Sequence, residues 1–304
     1  MLLVLLLAIA GISVAAPLVR LSHADPLVIA VWRLFFSLVF IGAIVVRTRG
    51  WRQWRRLDAR GVALGVGAGV MLALHFWSWN ASIDMTSVAA STVLVNIQPV
   101  IVALISVAWL REAPSGKQWL GIAVAMLGAF IVTWGDSGSA GAHAAGTSRA
   151  LLGDALALGA GVAAALYYLV GRRLRQALDL WPYVALVYGA CFIALLAIAA
   201  AARRPLLPQP PREVAIFVGL AAGPMLLGHT GMNWALKYLP AYVVNLTSLG
   251  EPVGATLLAA LLPGIREIPP AATLGGGALV LAGLLLALAK PARASEETRL
   301  TNAV

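Results

Sequence analysis

Ten stretches of about 20 mostly apolar residues run through this chain, and they constrain its fold more than any other feature. A helix needs roughly 20 such residues to cross the hydrocarbon core of a bilayer. The stretches lie near residues 2–20, 27–46, 61–79, 86–109, 118–134, 151–170, 182–202, 213–235, 240–262 and 269–289. They are continuous and rich in Ala and Leu, whereas the strands of a transmembrane β-barrel alternate polar and apolar residues. The sequence therefore predicts an all-α membrane protein with ten transmembrane helices.

The composition excludes several other classes of protein. The chain is 61% hydrophobic and 11% charged, whereas a soluble domain carries about 25% charged residues. A single cysteine excludes a disulfide scaffold and a cysteine-cluster metal site, and we expect no metal or other cofactor. The first stretch lacks the positive charges with which a signal peptide begins, so we expect it to be retained as a helix.

The distribution of Lys and Arg among the links predicts the orientation, because cytoplasmic loops carry an excess of these residues. The links after even-numbered stretches, with the C-terminal tail, hold most of them: Arg47, Arg49, Arg52, Arg55, Arg56, Arg60, Arg111, Lys117, Arg172, Arg173, Arg175, Lys237, Lys290, Arg293 and Arg299. The opposite side holds Arg20, Arg149, Arg203, Arg204, Arg212 and Arg266. We therefore expect both termini in the cytoplasm and a location in the inner (plasma) membrane. The net charge of +10 is interpreted as a topology signal and not as a nucleic-acid site.

The two halves of the chain repeat each other. Charged and glycine positions recur at an offset of 155 residues, from Glu112, Gly121 and Gly128 to Glu267, Gly276 and Gly283. Asn80 and Pro99 recur 153 residues later as Asn233 and Pro252. We predict a first five-helix repeat over 1–135, a second over 150–290 and a cytoplasmic tail over 291–304. Because each half has an odd number of spans, the second is inverted, as is typical of secondary transporters.

At this point the chain resembles the drug/metabolite transporter superfamily, and within it the EamA-type exporters. The resemblance rests on Pro26 and Arg33 of span 2, Leu110-Arg111-Glu112 with Gly121 and Gly128, Gly153-Asp154 and Tyr167 of span 6, Glu251-Pro252, and Arg266-Glu267 with Gly276 and Gly283. It is most similar to the aromatic amino-acid exporter branch. The resemblance implies ten helices in two inverted repeats, alternating access and export of small metabolites. Gln98-Pro99 replaces the Glu-Pro pair in the first half, so no symmetric carboxylate pair is present.

Two prolines near the middle of spans 4 and 9 point to a cavity. Proline interrupts the helical hydrogen bonds, and transporters place substrate beside discontinuous helices near the bilayer midplane. At helical spacing, one stripe of span 4 holds Thr92, Asn96, Pro99, Ala103 and Ser106, and one of span 9 holds Tyr242, Asn245, Leu249, Pro252 and Thr256. We expect both stripes to face the interior, with Gln98 and Glu251 off them; a simple packing kink is the alternative for each proline.

Spans 3, 6 and 8 supply further candidates for the cavity wall. His75 and Trp79 lie four residues apart, as do His229 and Asn233, so each pair shares a helix face. A histidine can titrate near neutral pH or serve as a structural hydrogen-bonding residue. Tyr167 and its neighbour Tyr168 can also line the cavity, although we expect that only one of them points inward.

Arg33 and Glu251 are the clearest charges within spans. Such residues are costly in a bilayer and usually face the protein interior. Arg33 has two alternative roles: it attracts a substrate carboxylate, or it is a structural anchor near the outer surface. Glu251 either carries a coupling proton, balances a substrate ammonium group, or stays protonated and bonds to a neighbouring helix.

Three classes of function were weighed. A transporter exporting aromatic or other hydrophobic amino acids fits best, with other metabolites or drugs as the alternative cargo. A membrane scaffold or enzyme is disfavoured because no nucleophile with a base and no phosphate loop is visible. A channel is disfavoured because no filter repeat is visible. We expect a small-molecule substrate and the lipid bilayer as partners, no nucleic acid, and a monomer or a weak homodimer through the glycines of spans 5 and 10.

Overall fold

The computed structural model describes residues 1–83, 94–137, 147–251 and 271–288, with the isolated positions 85, 91, 253, 254 and 258. Within these residues every regular element is helical and there is no strand. Pro252, Glu267 and the predicted tail over 291–304 lie outside the described residues.

The helices are numbered in chain order. They are α1 (Leu2–Ser13), α2 (Ala15–Leu21), α3 (Pro26–Arg47), α4 (Ala59–Ile83), α5 (Gln98–Ile105), α6 (Gly116–Ser137), α7 (Thr147–Leu174), α8 (Leu180–Ala201), α9 (Pro211–Leu220), α10 (Thr230–Ala235), α11 (Ala241–Leu246) and α12 (Ala271–Leu288). Short 3-10 segments cover Gly50–Arg56 and Thr247–Leu249, and π-helical segments cover Ser106–Leu110 and Ala221–His229.

Six helical segments of the described chain are long and apolar enough to cross a membrane. They are Leu2–Val19, Pro26–Arg47, Ala59–Ser82, Leu151–Leu174, Leu180–Ala201 and Pro211–Ala235. Three shorter apolar helices are Gln98–Leu110, Gly116–Ile131 and Leu274–Ala287. These segments agree with nine of the predicted stretches in position; the total of ten spans stays a prediction.

Large apolar side chains cover the outside of the bundle, as expected where lipid is the solvent. Val39, Leu104, Ile193 and Leu285 are all exposed. Polar side chains are buried instead, because hydrocarbon cannot hydrogen-bond to them. The interior is therefore where the chain concentrates its chemistry.

Helices from the two halves of the sequence pack against each other. The helix α4 contacts both α7 and α8, α3 contacts α8, and α1 packs on the π-helical segment Ala221–His229. A site in the middle of the bundle therefore draws its residues from both halves.

The most extensive contact joins α6 to α12, and glycines make it close. A Cβ at Gly121 would lie 2.7 Å from the carbonyl oxygen of Gly283, and one at Gly128 would lie 2.6 Å from that of Gly276. Backbone therefore approaches backbone, as at other small-residue contacts in membranes. These glycines are used within one chain, so a homodimer formed through them is not what this structure shows.

Two of the helical segments are interrupted near a proline. Residues 96–97 form a turn, and α5 starts at Gln98 with Pro99 in its first turn. The α-helix α11 ends at Leu246 and continues as the 3-10 segment Thr247–Leu249 before Glu251. The sequence analysis did not single out a third feature, Pro224 inside the π-helical segment Ala221–His229.

Candidate functional site

A cluster of buried hydroxyl and amide groups lies between α7, α8 and α10. The Asn233 Nδ2 amide donates to the Tyr167 hydroxyl and to the Tyr188 hydroxyl, the latter at 3.2 Å. The Tyr188 hydroxyl also contacts Thr230 Oγ1 at 3.2 Å. Asn233, Tyr167 and Tyr188 are fully buried, and Asn233 Oδ1 has no hydrogen-bond partner. We call these four residues the tyrosine cluster.

Tyr168 also points into the bundle, which corrects the expectation that only one of the two neighbouring tyrosines does so. Its hydroxyl lies 3.0 Å from the Met232 sulfur, and its ring meets that of Tyr167 edge-on with centroids 4.8 Å apart. Both rings are buried because α4, α5 and α11 all pack against α7 and enclose a wide sector of it.

Arg33 is buried in the interior of the bundle. Its side chain is 3% exposed. The guanidinium carbon sits 4.1 Å above the Phe76 ring, and Nη2 donates to the Met225 sulfur at 3.0 Å. The Nε atom is buried without a hydrogen-bond partner. Among the described residues, the acceptor that this cation contacts is a thioether, which is a weak one.

Glu251 lies within electrostatic range of Arg33. The two do not form an ion pair, since no carboxylate of the described residues lies within 4.0 Å of the Arg33 guanidinium. Glu251 is partly exposed, and no described residue donates a hydrogen bond to its carboxylate. The structure thus brings together the two charges that the sequence singled out and leaves a gap between them.

Both histidines of the predicted pairs lie beside the Phe76 ring. The rings of His75 and Trp79 are parallel with centroids 6.4 Å apart, and His75 Nδ1 lies 3.1 Å from the Ala160 carbonyl oxygen. His229 meets Phe76 edge-on at 5.5 Å, and its Nδ1 is buried without a partner. His75 thus contacts a backbone carbonyl through Nδ1, whereas the Nδ1 atom of His229 is unpaired and lies near Phe76, the ring that Arg33 contacts.

The predicted stripes of spans 4 and 9 are only partly formed. Asn245 Nδ2 donates to Gln98 Oε1 at 3.2 Å, and Tyr242 donates to Gln118 Oε1 at 3.0 Å. Gln98 was expected off the stripe, and its hydrogen bond with Asn245 was not predicted, because no local pattern pairs these two residues. Asn96 is buried and makes no hydrogen bond to a described residue.

One end of the bundle, where α7 ends and α8 begins, is held by a dense polar network. The Arg172 guanidinium pairs with Glu112 at 2.6 Å and donates to the Leu236 carbonyl at 2.7 Å. Arg175 is 2% exposed and donates to the carbonyls of Asn233, at 2.9 Å, and Leu178. We call this the Arg172 end. Sequence reasoning counted its arginines only as loop charges; the close spacing of Arg172, Arg173 and Arg175 was the one available signal.

Electrostatics at the Arg172 end favour the charged form of Asp179. The Gln53 amide, aided by Lys237, holds the pKa of the Asp179 carboxyl below its usual 3.8. Gln53 Nε2 donates to Asp179 Oδ2 at 2.7 Å, and Lys237 Nζ lies 3.4 Å from Oδ1. Burial lowers the pKa of Arg175, but its two carbonyl acceptors suit the cation.

The opposite end is tied together by a carboxylate. Ser22 Oγ and the His23 backbone amide both donate to Glu213, at 2.5 Å and 3.1 Å. Arg204 pairs with Asp25 at 3.3 Å. The Arg33–Glu251 region lies between these two ends.

No metal centre marks the site within the described part of the chain. No group of three or more His, Cys, Asp and Glu residues there is placed to hold a metal ion. A cleft of about 390 Å³ lies between α4 and α7 and is lined by apolar residues such as Met71, Leu74, Val162 and Leu166. Val162 and Leu166 are exposed, so this cleft opens toward the lipid-facing surface.

Comparisons with known proteins agree with this architecture. The sequence matches the EamA-like transporter family over residues 1–134 and 151–289. A solved crystal structure superposes with a TM-score of 0.76 at 19% sequence identity, covering 94% of this chain and 95% of the other. No curated protein matches the sequence. The fold and the interior site thus define a multi-pass membrane protein. The chain belongs to the EamA-like transporter family, which makes it a membrane transporter of small molecules and not a member of an enzyme family.

Proposed function

We propose that this chain exports small metabolites, with aromatic or other hydrophobic amino acids as the leading substrate class. Substrate passes by alternating access through a central cavity between two inverted five-helix repeats, 1–135 and 150–290. The ten spans lie in the inner membrane with both termini, and the tail over 291–304, in the cytoplasm. The chain acts as a monomer or weak homodimer, without cofactor or nucleic acid.

The observation that carries this proposal is a polar and aromatic interior built by both halves. Arg33 and Phe76 come from the first half, and Tyr167, Tyr188 and Asn233 come from the second. A charge within a bilayer costs about 2.5–3.5 kcal/mol even on permissive scales, so purely structural helices would have apolar residues here. Aromatic rings beside buried hydrogen-bonding groups suit a solute with an apolar body and polar ends.

The symmetry of the helix breaks supports alternating access. The turn before Pro99 and the 3-10 segment Thr247–Leu249 before Glu251 interrupt the two helices that the repeat pairs. Discontinuous helices at matching positions of inverted repeats are a feature of secondary transporters. The contacts between the two halves at the Arg172 end, such as Glu112 with Arg172, are consistent with a cavity that is closed on that side.

The test is uptake into proteoliposomes of labelled phenylalanine, tryptophan, threonine and a sugar phosphate, with and without a pH gradient. We expect saturable flux of phenylalanine and tryptophan that Asn233→Ala abolishes and that Gln176→Ala, at an exposed position, leaves intact. Dependence on the gradient indicates proton coupling, and equal flux without it indicates facilitated diffusion. Flux of the sugar phosphate alone contradicts the substrate class, and a folded protein that moves none of the four contradicts the proposal.

A further inference from the structure

Two charged side chains in the interior lack the partners that such groups normally have. Arg33 is 3% exposed, and within the described part of the chain its Nε is unpaired and its hydrogen-bond acceptor is a thioether. The Glu251 carboxylate is partly exposed and receives no hydrogen bond from a described residue. A buried charge is usually paired or hydrogen-bonded. Both groups therefore have unused capacity, of opposite sign, within electrostatic range of each other.

We propose that Arg33 and Glu251 form a two-point site for a zwitterionic substrate. The Arg33 guanidinium binds the carboxylate of the substrate, and the Glu251 carboxylate binds its ammonium group. This inference rests on the proposed function and narrows it, since it requires both charges of a free amino acid and assigns one residue to each.

The geometry of Arg33 suits a carboxylate. Its guanidinium carbon lies over the Phe76 ring, 4.1 Å from the ring centroid, and this contact holds the group in place. Guanidinium binds carboxylate edge-on with two parallel N–H···O bonds. The unpaired Nε and the Nη2 that contacts Met225 lie on one edge of the group. A carboxylate is a far better acceptor for both than a thioether sulfur.

The surroundings of the pair separate this role from a structural ion pair. A structural pair closes at hydrogen-bond distance, as Arg172 and Glu112 do at 2.6 Å. Arg33 has no carboxylate of a described residue within 4.0 Å. Other groups that face it are Phe76, Met225 and, within electrostatic range, Tyr188, Cys191, His75 and His229. None of these side chains, when neutral, supplies a negative charge that balances Arg33. The missing anion is therefore assigned to the substrate.

The experiment uses three matched ligands on the full-length chain in proteoliposomes. Phenylalanine carries both charges, phenethylamine lacks the carboxylate, and 3-phenylpropanoate lacks the ammonium group. Each competes against labelled phenylalanine, and each is also tested for ligand-induced thermal stabilisation of the purified protein. We expect phenylalanine to bind about tenfold or more tightly than either analogue, because each analogue leaves one buried charge unpaired.

The variants assign the charges to residues. Arg33→Gln should weaken the binding of phenylalanine about tenfold and leave the binding of phenethylamine unchanged. Glu251→Gln should weaken the binding of phenylalanine and leave the binding of 3-phenylpropanoate unchanged. Arg212→Gln, at an exposed arginine that pairs with the buried Glu213, is the matched control and should leave the binding of all three ligands unchanged. Without ligand, Arg33→Gln should melt at or above the wild-type temperature, because it removes a buried charge that has no partner.

Three outcomes overturn the site. In the first, phenylalanine and either analogue bind equally well. In the second, Arg33→Gln weakens the binding of all three ligands equally. In the third, Arg33→Gln is unfolded without ligand. If phenylalanine is not transported, but threonine is transported and must carry both charges, the aromatic substrate class is wrong and the two-point site is retained. A wild-type chain that moves only singly charged or uncharged solutes contradicts the site while leaving a transporter.

Discussion

Two arginines in the described part of this chain are buried to the same extent, but they differ in their hydrogen-bond acceptors. Arg175 is 2% exposed and donates to two backbone carbonyls, those of Asn233 and Leu178. Arg33 is 3% exposed, and among the described residues its Nε is unpaired and its acceptor is a sulfur. A buried cation with its acceptors in place holds helices together, whereas one without them is poised for a ligand.

The same contrast separates the two regions around these residues. The Arg172 end pairs its charges within the chain, through Glu112 with Arg172 and Lys237 with Asp179. In the centre, the Arg33 guanidinium has no carboxylate of a described residue within 4.0 Å. Unpaired buried polar atoms occur in both regions, at Asn233 Oδ1 and His229 Nδ1 in the centre and at Glu112 Oε2 and the Tyr183 hydroxyl in the Arg172 end. The contrast therefore lies in the pairing of the buried cations, because a buried charge without a partner costs more than a neutral polar group without one. The predictions below test whether the division between a structural end and a functional centre is real.

The largest effect is expected from Arg175→Gln. The change removes charged donors from two buried carbonyls, and each left unsatisfied costs about 1–3 kcal/mol. Thermal unfolding of the purified protein in detergent should show a large drop or no folded protein at all. Arg173→Gln is the control, because Arg173 is exposed two residues away on the same turn. Equal stability of the two variants would show that Arg175 is not structural.

A smaller effect is expected at the ion pair that joins the two halves. Glu112 and Arg172 meet at 2.6 Å with side chains 22% and 18% exposed. A double-mutant cycle with Glu112→Gln and Arg172→Gln should give a coupling energy of about 0.5–3 kcal/mol, as for contacting residues. No coupling would mean that the pair contributes nothing to closure of this end.

The same variants should also change access to the centre. Cys191 is the only cysteine of the chain and is fully buried near Arg33. Its labelling by a small membrane-permeant maleimide reports how often the interior opens. Glu112→Gln should raise the labelling rate, because the Arg172 end loses a contact that closes it, and Arg212→Gln at the opposite end should not. Unchanged labelling in Glu112→Gln would place the opening elsewhere.

The tyrosine cluster offers a matched pair of phenylalanine substitutions. Tyr167→Phe removes the acceptor of the Asn233 amide, which should cost about 0.5–1.5 kcal/mol for the lost hydrogen bond. Tyr168→Phe removes only a hydroxyl that contacts the Met232 sulfur at 3.0 Å, so it should cost less. Chemical denaturation of both variants checks the order. A larger loss for Tyr168→Phe would show that the sulfur contact is the structural one.

Sequence reasoning succeeded where a property is carried by a long segment. Helices such as Pro26–Arg47 and Leu180–Ala201 follow from apolar length alone, because a bilayer demands it. The inward placement of Arg33 and Asn233 follows from the cost of polar groups in lipid. The family followed from motifs spread over both halves, and the match over residues 1–134 and 151–289 confirms it.

It failed where one contact between distant segments decides the structure. The hydrogen bond from Asn245 to Gln98 joins two distant helices and was not predicted, because no local pattern pairs these two residues. Tyr188 has no neighbour in sequence that marks it, and its role arises only when α8 meets α10 at Asn233. Arg175 looks like a loop charge until the helix ends that it joins are in place. Partners set by tertiary packing leave no local pattern to read.

The smallest effect is expected at Asp179, and it should depend on pH. The Gln53 amide and Lys237 lower the pKa of this carboxyl below its usual 3.8, so the folded state favours the charged form. The stabilisation is therefore present above that usual value and is lost as the pH falls through the lower value of the folded state. Its side chain is 63% exposed, so Asp179→Asn should cost under about 1 kcal/mol.

The pH dependence distinguishes an ion-pair effect from a change in helix capping. The stability difference between the wild type and Asp179→Asn should be present at neutral pH and shrink as the carboxyl becomes protonated in acid. Gln53→Ala should reproduce part of that dependence, because Gln53 Nε2 donates to Asp179 Oδ2 at 2.7 Å. A difference that stays constant with pH would mean that Asp179 acts as a neutral cap of α8. The Arg172 end would then owe its cohesion to Arg172 and Arg175 alone.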